Sequence, residues 1–388
     1  MIPVAEALDR VLALTRPLPA ETVALGEAGG RVLAEDVVAR LTQPPFAASA
    51  MDGYAVAGDA PAWRVVGEAA AGRPWPGRIG AGEAVRIFTG APVPDGGTRV
   101  VIQEDVTREG DLIRPAPDAE PGPNIRPAGQ DFREGDRLAA PRVLGPAEIA
   151  LIAAMNVPEV RVARRPAVAL IATGDELVQP GEAPGPGQIV ASNTWGLAEM
   201  VRQAGGLPRM LPVARDDAAS LGAAFDLARG ADLVVTVGGA SVGDHDLVAG
   251  VAAGRGMEAA FHKVAMRPGK PLMAGRIDGV PMIGLPGNPV SALVCGAVFL
   301  VPAILAMLGL PAGPAPRRRA PLAEGVAANG PREHYMRATL GPDGLTAAGR
   351  QDSALLTVLA EADALLIRPP GDGPRAAGEV VEYLPLRP

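Results

Sequence analysis

Three short segments that are almost wholly apolar, AVALIA (167–172), DLVVTV (232–237) and VPMIGL (280–285), constrain this chain most. A strand with no polar face cannot sit on the outside of a sheet. Helical stretches, TWGLAEMVRQAG and AASLGAAFDLARG, lie between them. Apolar strands alternating with helices predict a parallel α/β sheet covered on both faces, running from Ala167 to about Leu310. In such a sheet the functional groups gather at the carboxyl ends of the strands.

The rest of the 388-residue chain has a different texture. Val4, Leu8, Val11 and Leu12 have helical spacing and predict a first helix. Residues 17–45 alternate turns with short apolar runs, and residues 46–136 carry β-like segments such as WRVVGEA, EAVRIFTG and TRVVIQED, reading as a β-rich insert. Residues 137–165 form a connector with one short helix, started by Pro146 and stopped before Pro158. Beyond the linker AGPAPRRRAP short β-like runs return and end in GEVVEYLPL, predicting a small separate β domain. The Arg317–Arg319 triplet reads as a solvated part of that linker.

Composition narrows the classes. The chain has 49 Gly and 41 Pro, but 48% hydrophobic residues argue for many turns rather than disorder. A formal charge of −7 disfavours a general binder of nucleic acid or of an acidic membrane. The single cysteine, Cys295, allows no internal disulfide and sits in an apolar run, where an inert thiol is expected. No secretory signal precedes the first helix, and the apolar stretch from Val290 to Leu310, interrupted by Pro302, reads as a buried helix rather than a membrane span. A cytoplasmic protein is expected. Of 36 Lys plus Arg only Lys263 and Lys270 are lysines, and both lie in FHKVAMRPGKP.

A glycine-containing polar turn follows each apolar strand. The first holds Thr173, Gly174, Asp175 and Glu176. The second is GGASVGDHD, with Gly238, Gly239, Ser241, Asp244 and Asp246, and the third is PGNPVS, with Asn288 and Ser291. One acidic turn residue is usually a helix cap. Three such turns on one sheet edge suggest more, because glycine turns and helix N-termini present N–H groups to phosphate or another oxyanion. Carboxylates beside a phosphate call for a divalent cation between them, such as Mg²⁺. Lys263, Arg267 and Lys270 add positive charge just before the third strand. A phosphorylated or nucleotide-like substrate with Mg²⁺ is the expectation. A Walker loop, GxGxxG, HExxH and paired CxxC are all missing. GxSxG is matched loosely by Gly239–Gly243, which leaves a hydrolase as a minor reading with no histidine in an evident base role.

The β insert contributes SAMDGYA (49–55), RIFTGAPVP (86–94) and NIRPAGQDF (124–132), each alone more often a turn than a site. Together with TGDEL, GGASVGDHD, KVAMRPGKP and GLPGNPVSA, in this order and spacing, the chain resembles the molybdopterin molybdenumtransferase family, the MoeA-like proteins related to the gephyrin E domain. The resemblance covers nearly the whole chain. It implies that molybdate and adenylylated molybdopterin bind together as substrates, that molybdate is inserted at the dithiolene sulfurs, and that AMP is released with help from Mg²⁺ or another divalent cation.

The resemblance carries functional roles to Asp52, Thr89, Asp131, Glu176, Asp216 and Asp246 as catalytic residues, with Asp246, Asp216 and Glu176 holding metal. It implies substrate binding by Thr173, Gly238, Gly239, Ser241, Asp244, Pro286, Asn288 and Pro289. Molybdate falls to Arg267, Lys270, Pro271, Ser291, Arg332 and Ser353. Arg267 stands where the family often has Lys, and QDSALLT (351–357) departs around Ser353, leaving the part of Thr357 open. The implied fold is a multidomain α/β protein: a parallel, MogA-like domain (1–16 and 158–314), a linker domain (17–45 and 137–157), an elongated β-rich arm (46–136) and a C-terminal β-barrel-like domain (317–388). A homodimer is also implied, its cleft completed by the partner's arm, with possible contact to other molybdenum-cofactor biosynthesis proteins and no nucleic acid or membrane. Molybdopterin adenylylation and a gephyrin-type scaffold are the alternatives.

Overall fold

A computed structural model describes residues 1–239 and 247–387. The chain forms two compact units, Thr22–Arg161 and a second made of Met1–Glu21 with Val162–Pro388.

Thr22–Arg161 is built mainly of strands. Its six-stranded sheet runs in the order Arg99–Ile102, Gly53–Val56, Glu83–Ile87, Trp63–Ala69, Leu112–Pro115, Val106–Glu109. All neighbours are antiparallel except Trp63–Ala69 with Glu83–Ile87, which run parallel. Side chains on a strand alternate between faces, and this sheet is apolar on both. Ala55, Val85 and Val100 join one core cluster, whereas Tyr54, Val56, Ala84 and Val101 join another. Residues 17–45 and 137–157 pair with each other through Val32–Leu33 against Arg142–Val143 and Val37–Val38 against Arg137–Leu138. The helix Pro146–Ala154 begins with Pro146 in its first turn, where a missing N–H costs nothing. The Glu148 carboxylate accepts from the Gly145 N–H at 3.0 Å. Asn156, with φ of 61°, turns the chain away before Pro158.

The other unit contains the expected parallel sheet. Leu207–Met210, Ala167–Ala172, Leu233–Val237 and Val280–Leu285 lie side by side and all parallel. Two strands absent from the sequence reading extend it: Met273–Ile277 is antiparallel to Val280–Leu285, and Glu258–Phe261 is antiparallel to Met273–Ile277. The sheet is therefore mixed, with a parallel centre and an antiparallel margin. The hairpin turns at Asp278–Gly279, both with positive φ, so the apolar strand VPMIGL is reached from a neighbour rather than from a helix. Against the sheet pack Val4–Leu14, whose Val4, Ala7, Leu8 and Val11 are buried, and Asn193–Gln203 and Ala218–Leu227.

The long apolar helix spans Pro289–Met307 and is the one described helix long and apolar enough to cross a membrane, yet most of it is buried inside the protein. Its middle, Gly296–Leu300, is a π-helical stretch lying directly before Pro302. A proline cannot donate to the i−4 carbonyl, and a π-turn is one way a helix absorbs such an interruption. The C-terminal strands Arg318–Pro321, Glu333–Gly341, Ala364–Arg368 and Val380–Pro385 form a second sheet around Leu322, Leu345, Leu366 and Tyr383. Its edge is completed by Met266–Arg267, which runs parallel to Glu333–Gly341.

Cys295 is fully buried, its Sγ 3.8 Å from the Met266 sulfur. Burial alone pushes the thiol well above the ordinary cysteine range. The native protein should give no reaction with a disulfide reagent at neutral pH and one thiol per chain after denaturation; titration with Ellman's reagent checks this, and a reactive native thiol refutes the burial.

Candidate active site

The parallel ladder aligns three strand ends. Ala172 is level with Val237, and Val237 with Leu285, so the turns that follow leave the sheet side by side. Backbone bonds tie them together: Thr173 N–H to Val237 O at 3.0 Å, Gly174 N–H to Ala214 O at 3.1 Å, and Gly238 N–H to Leu285 O at 3.2 Å. Gly238 has a φ of +95°, and a Cβ there would stand 2.6 Å from the Thr173 carbonyl oxygen, so only glycine lets these turns approach. The Asn193 amide donates to Gly287 O at 2.7 Å and fixes the third turn.

A cleft of about 1120 Å³ opens over these turns. Of the residues expected in the site, Thr173, Glu176, Asp216, Gly238, Gly239, Pro271, Pro286, Asn288 and Pro289 line it. Ser241, Asp244 and Asp246 lie outside the described residues. The acidic turns divide by task. Asp217 caps Ala218–Leu227 by accepting from Ser220 N–H at 2.8 Å, and Asp175 accepts from Asp216 N–H at 3.2 Å. Their neighbours Asp216 and Glu176 are left facing the cleft. On its floor the Thr173 hydroxyl is buried without a partner. The opposite wall includes Ile189, Val190, Ser192 and Asn193, which sequence reading missed. GQIVASN carries neither charge nor a motif glycine run to single it out.

A cationic region lies beside the cleft in the same unit. Arg267 and Lys270 are exposed, Arg332 donates to Met266 O at 3.3 Å, and Ser291 is buried on the helix after Asn288. The Ser353 carbonyl accepts from Val290 N–H at 3.0 Å, anchoring the Ser353 segment to that helix, and Ala354 and Pro271 both line the cleft. Arg337 is the second miss. It is fully buried, with one Nη held by Asp352 O at 2.9 Å, while its Nε and other Nη have no partner. Desolvation and the nearby Arg267 lower its pKa. In a chain with 34 arginines, position alone could not mark this one.

In the unit Thr22–Arg161, Asp52 and Thr89 meet. One Asp52 oxygen accepts from both the N–H and the hydroxyl of Thr89, each at 2.8 Å. Arg86 stacks between Tyr54 and Phe88, with its guanidinium carbon 5.0 and 4.8 Å from the ring centres, and donates to Gly53 O at 3.1 Å. The two Thr89 hydrogen bonds, and then the Arg86 charge, lower the Asp52 pKa. Asp131 takes no part in this pair; its N–H donates to Gln43 O at 3.1 Å.

Fold and cleft thus define an α/β protein with glycine turns, two carboxylates and an orphan hydroxyl on the carboxyl edge of a parallel sheet, and a cationic region beside them. Three family models match in succession: the MoeA N-terminal region (domains I and II) over residues 2–156, a probable molybdopterin binding domain over 169–306, and the MoeA C-terminal region (domain IV) over 319–386. The molybdopterin molybdenumtransferase of Nostoc sp. is 37% identical, covering 94% of this chain and 88% of its own. Molybdopterin molybdenumtransferase 2 of Mycobacterium tuberculosis is 40% identical over 94% and 95%. The crystal structure of the molybdopterin biosynthesis MoeA protein from Pyrococcus horikoshii superposes with a TM-score of 0.84 at 32% identity, covering both chains fully. The chain belongs to the molybdopterin molybdenumtransferase family.

A carboxylate with a lowered pKa stays ionised until the pH falls through that lowered value, so the Asp52–Thr89 pair should persist to a pH below the ordinary aspartate range. Thr89→Val removes the hydroxyl donor and should move the Asp52 titration upward. Carboxyl ¹³C NMR of both proteins measures it; identical titrations in the two would show that the hydroxyl contributes nothing.

Proposed function

We propose that the cleft binds adenylylated molybdopterin together with molybdate, that the dithiolene sulfurs displace molybdate oxygen, which leaves as water with the thiol protons, and that AMP is released by hydrolysis of the phosphoanhydride. The observation that carries this reading is the register of the three strand ends, which gathers phosphate-type turns and carboxylates at one edge beside a cationic region. Matches to the MoeA N- and C-terminal regions favour insertion over adenylylation, since they extend beyond the molybdopterin-binding domain.

The Thr173 hydroxyl and the glycine turn at Gly238–Gly239 are donors for the phosphates, and Pro286–Pro289 borders them, held by Asn193. On the cationic side Arg267, Lys270 and Arg332 supply charge for molybdate, with Ser291 and Ser353 close to the helix start. Buried Arg337 adds two unpartnered donors.

The donor set also fits a Mg²⁺ ion. Among the described residues no three His, Cys, Asp or Glu side chains cluster, as a closed protein cage would require. Mg²⁺ is commonly held by one or two carboxylates plus substrate phosphates, and the cleft presents Glu176 and Asp216. These two would hold it, with Asp246 assigned to the same task by family resemblance. When bound, the ion neutralises charge on the phosphate linkage. For the other unit we propose that Asp52 and Thr89 act as a pair in the same reaction, and that Asp131, outside that pair, also takes part by family resemblance. The working form is proposed to be a homodimer in the cytoplasm; light scattering should return twice the mass of one chain, and a monomer at assay concentration would count against it.

Purified protein given adenylylated molybdopterin, Mg²⁺ and molybdate should release AMP, and chelation of the metal should stop it. Glu176→Gln and Asp216→Asn should each slow release by about 100-fold with folding intact. Lys270→Arg should raise the molybdate concentration needed for half-maximal rate, because a planar fork replaces a compact point charge. Failure to release AMP with any divalent metal would defeat the assignment.

A further inference from the structure

His334 stands on Glu333–Gly341 level with Arg267 on one neighbouring strand and Arg368 on the other. Its side chain is only 6% exposed and its Nε2 has no hydrogen-bond partner. Four guanidiniums act on it: Arg267 from the α/β part, Arg332 from just before its own strand, Arg337 on that strand, and Arg368 from the next. The adjacent carboxylates are engaged elsewhere. Glu333 accepts from Arg317 and from the Tyr335 hydroxyl, Asp372 from Arg368 and Arg375, and Asp352 from Ala354 N–H. Every Arg368 nitrogen has a partner, in Asp372 and the Ala327 and Gly373 carbonyls, whereas the Nε and one Nη of Arg337 have none.

We propose that His334 is a further ligand of the oxyanion site, and that a dianion binds there together with one proton taken up by this ring. The inference rests on the reading that this region receives molybdate. In the field of the guanidiniums the protonated ring is disfavoured; burial first, and then Arg267, Arg337, Arg332 and Arg368, hold its pKa down at about 4. A tetrahedral dianion among the same groups turns that repulsion into attraction and gives Nε2–H an oxygen to donate to. An opposite charge within about 4–6 Å shifts such a group by about 1–3 pH units. The bound-state value is the higher one, so the proton enhances binding most at low pH. That enhancement is lost as the pH rises through the bound-state value. A dianion reverses the field more than a monoanion does, so the ring selects for charge as well as shape.

With only three histidines, His245, His262 and His334, the imidazole resonances of the full-length protein can be followed singly, and His334→Gln assigns one of them by its loss. Titration from just below the free ring's value of about 4 up to about pH 8 is carried out alone, with sodium molybdate, and with sodium sulfate, a dianion that does not itself titrate there. Molybdate should raise the His334 midpoint by about 1–3 pH units. Calorimetry in buffers of different ionisation heat should show proton uptake with the wild type and none with His334→Gln. Wild-type affinity should fall by up to about tenfold per pH unit where the ring titrates. The same response to sulfate supports a site for dianions in general. Molybdate heat without proton uptake and with an unmoved His334 resonance overturns the proposal and leaves the oxyanion site standing. No molybdate heat and no shift overturns both, and AMP release by the same preparation then decides whether the transferase reading survives.

Discussion

Parallel pairing without stagger is the constraint on which the site depends. Because Ala172, Val237 and Leu285 stand level, three turns emerge within one neighbourhood and must share its space. Glycine at 238 is a direct consequence: a side chain would strike the carbonyl of Thr173 in the adjoining turn. The crowding leaves Thr173 with a buried hydroxyl that has no hydrogen-bond partner; the Thr236 hydroxyl on the neighbouring strand has none either, but only Thr173 of the two lines the cleft. A buried unsatisfied polar group costs about 1–3 kcal/mol. Against a total stability of about 5–15 kcal/mol that is a large fraction, and at Thr173 a ligand in the cleft is proposed to offset it.

The same test separates the arginines. Arg368 and Arg337 are equally inaccessible, yet Arg368 is surrounded by a carboxylate and two carbonyls, and its role is structural. Arg337 is held through its backbone by Gln351 and through one Nη by the loop that carries Ser353. Its remaining donors have nothing to bind in the chain itself. Burying a cation in that state lowers its pKa and sets it against Arg267. An anion would remove both penalties at once, and this is why the cationic region is proposed to act together with the cleft beside it.

The sequence made legible what depends on local pattern. The three apolar strands, the first helix, the helix opened by Pro146 and the glycine turns follow from periodicity and turn chemistry. The antiparallel margin escaped because Met273–Ile277 and Glu258–Phe261 are short segments joined to the sheet by partners chosen in three dimensions. Met266–Arg267 escaped more completely: two residues inside an α/β segment complete the edge of the C-terminal sheet, and two residues have no period. At the site, the glycine turns and most of the acidic residues could be named from sequence. The resemblance picked Glu176 over Asp175 and Asp216 over Asp217; composition and spacing offered no such distinction, because it lies in which carboxylate is already bonded to a neighbouring N–H.

Charge type was legible only in part. Two lysines among 36 basic residues drew attention to the segment FHKVAMRPGKP, and the structure places Pro271, next to Lys270, on the cleft wall. Lys263 has another task through its backbone, whose carbonyl accepts from Ile2 N–H at 3.1 Å and ties down the chain start. The arginines that matter most for an oxyanion were hidden by abundance, and His334 by its place in a strand with no motif of its own. The exposed Lys270 ammonium, the buried Arg337 guanidinium and the buried His334 imidazole differ in hydration and in how readily they exchange a proton. If the proposed dianion binds among these groups, it exchanges hydration for a compact exposed charge and for desolvated ones at the same site. Such a graded set would attract the anion from water and still discriminate once water has been removed.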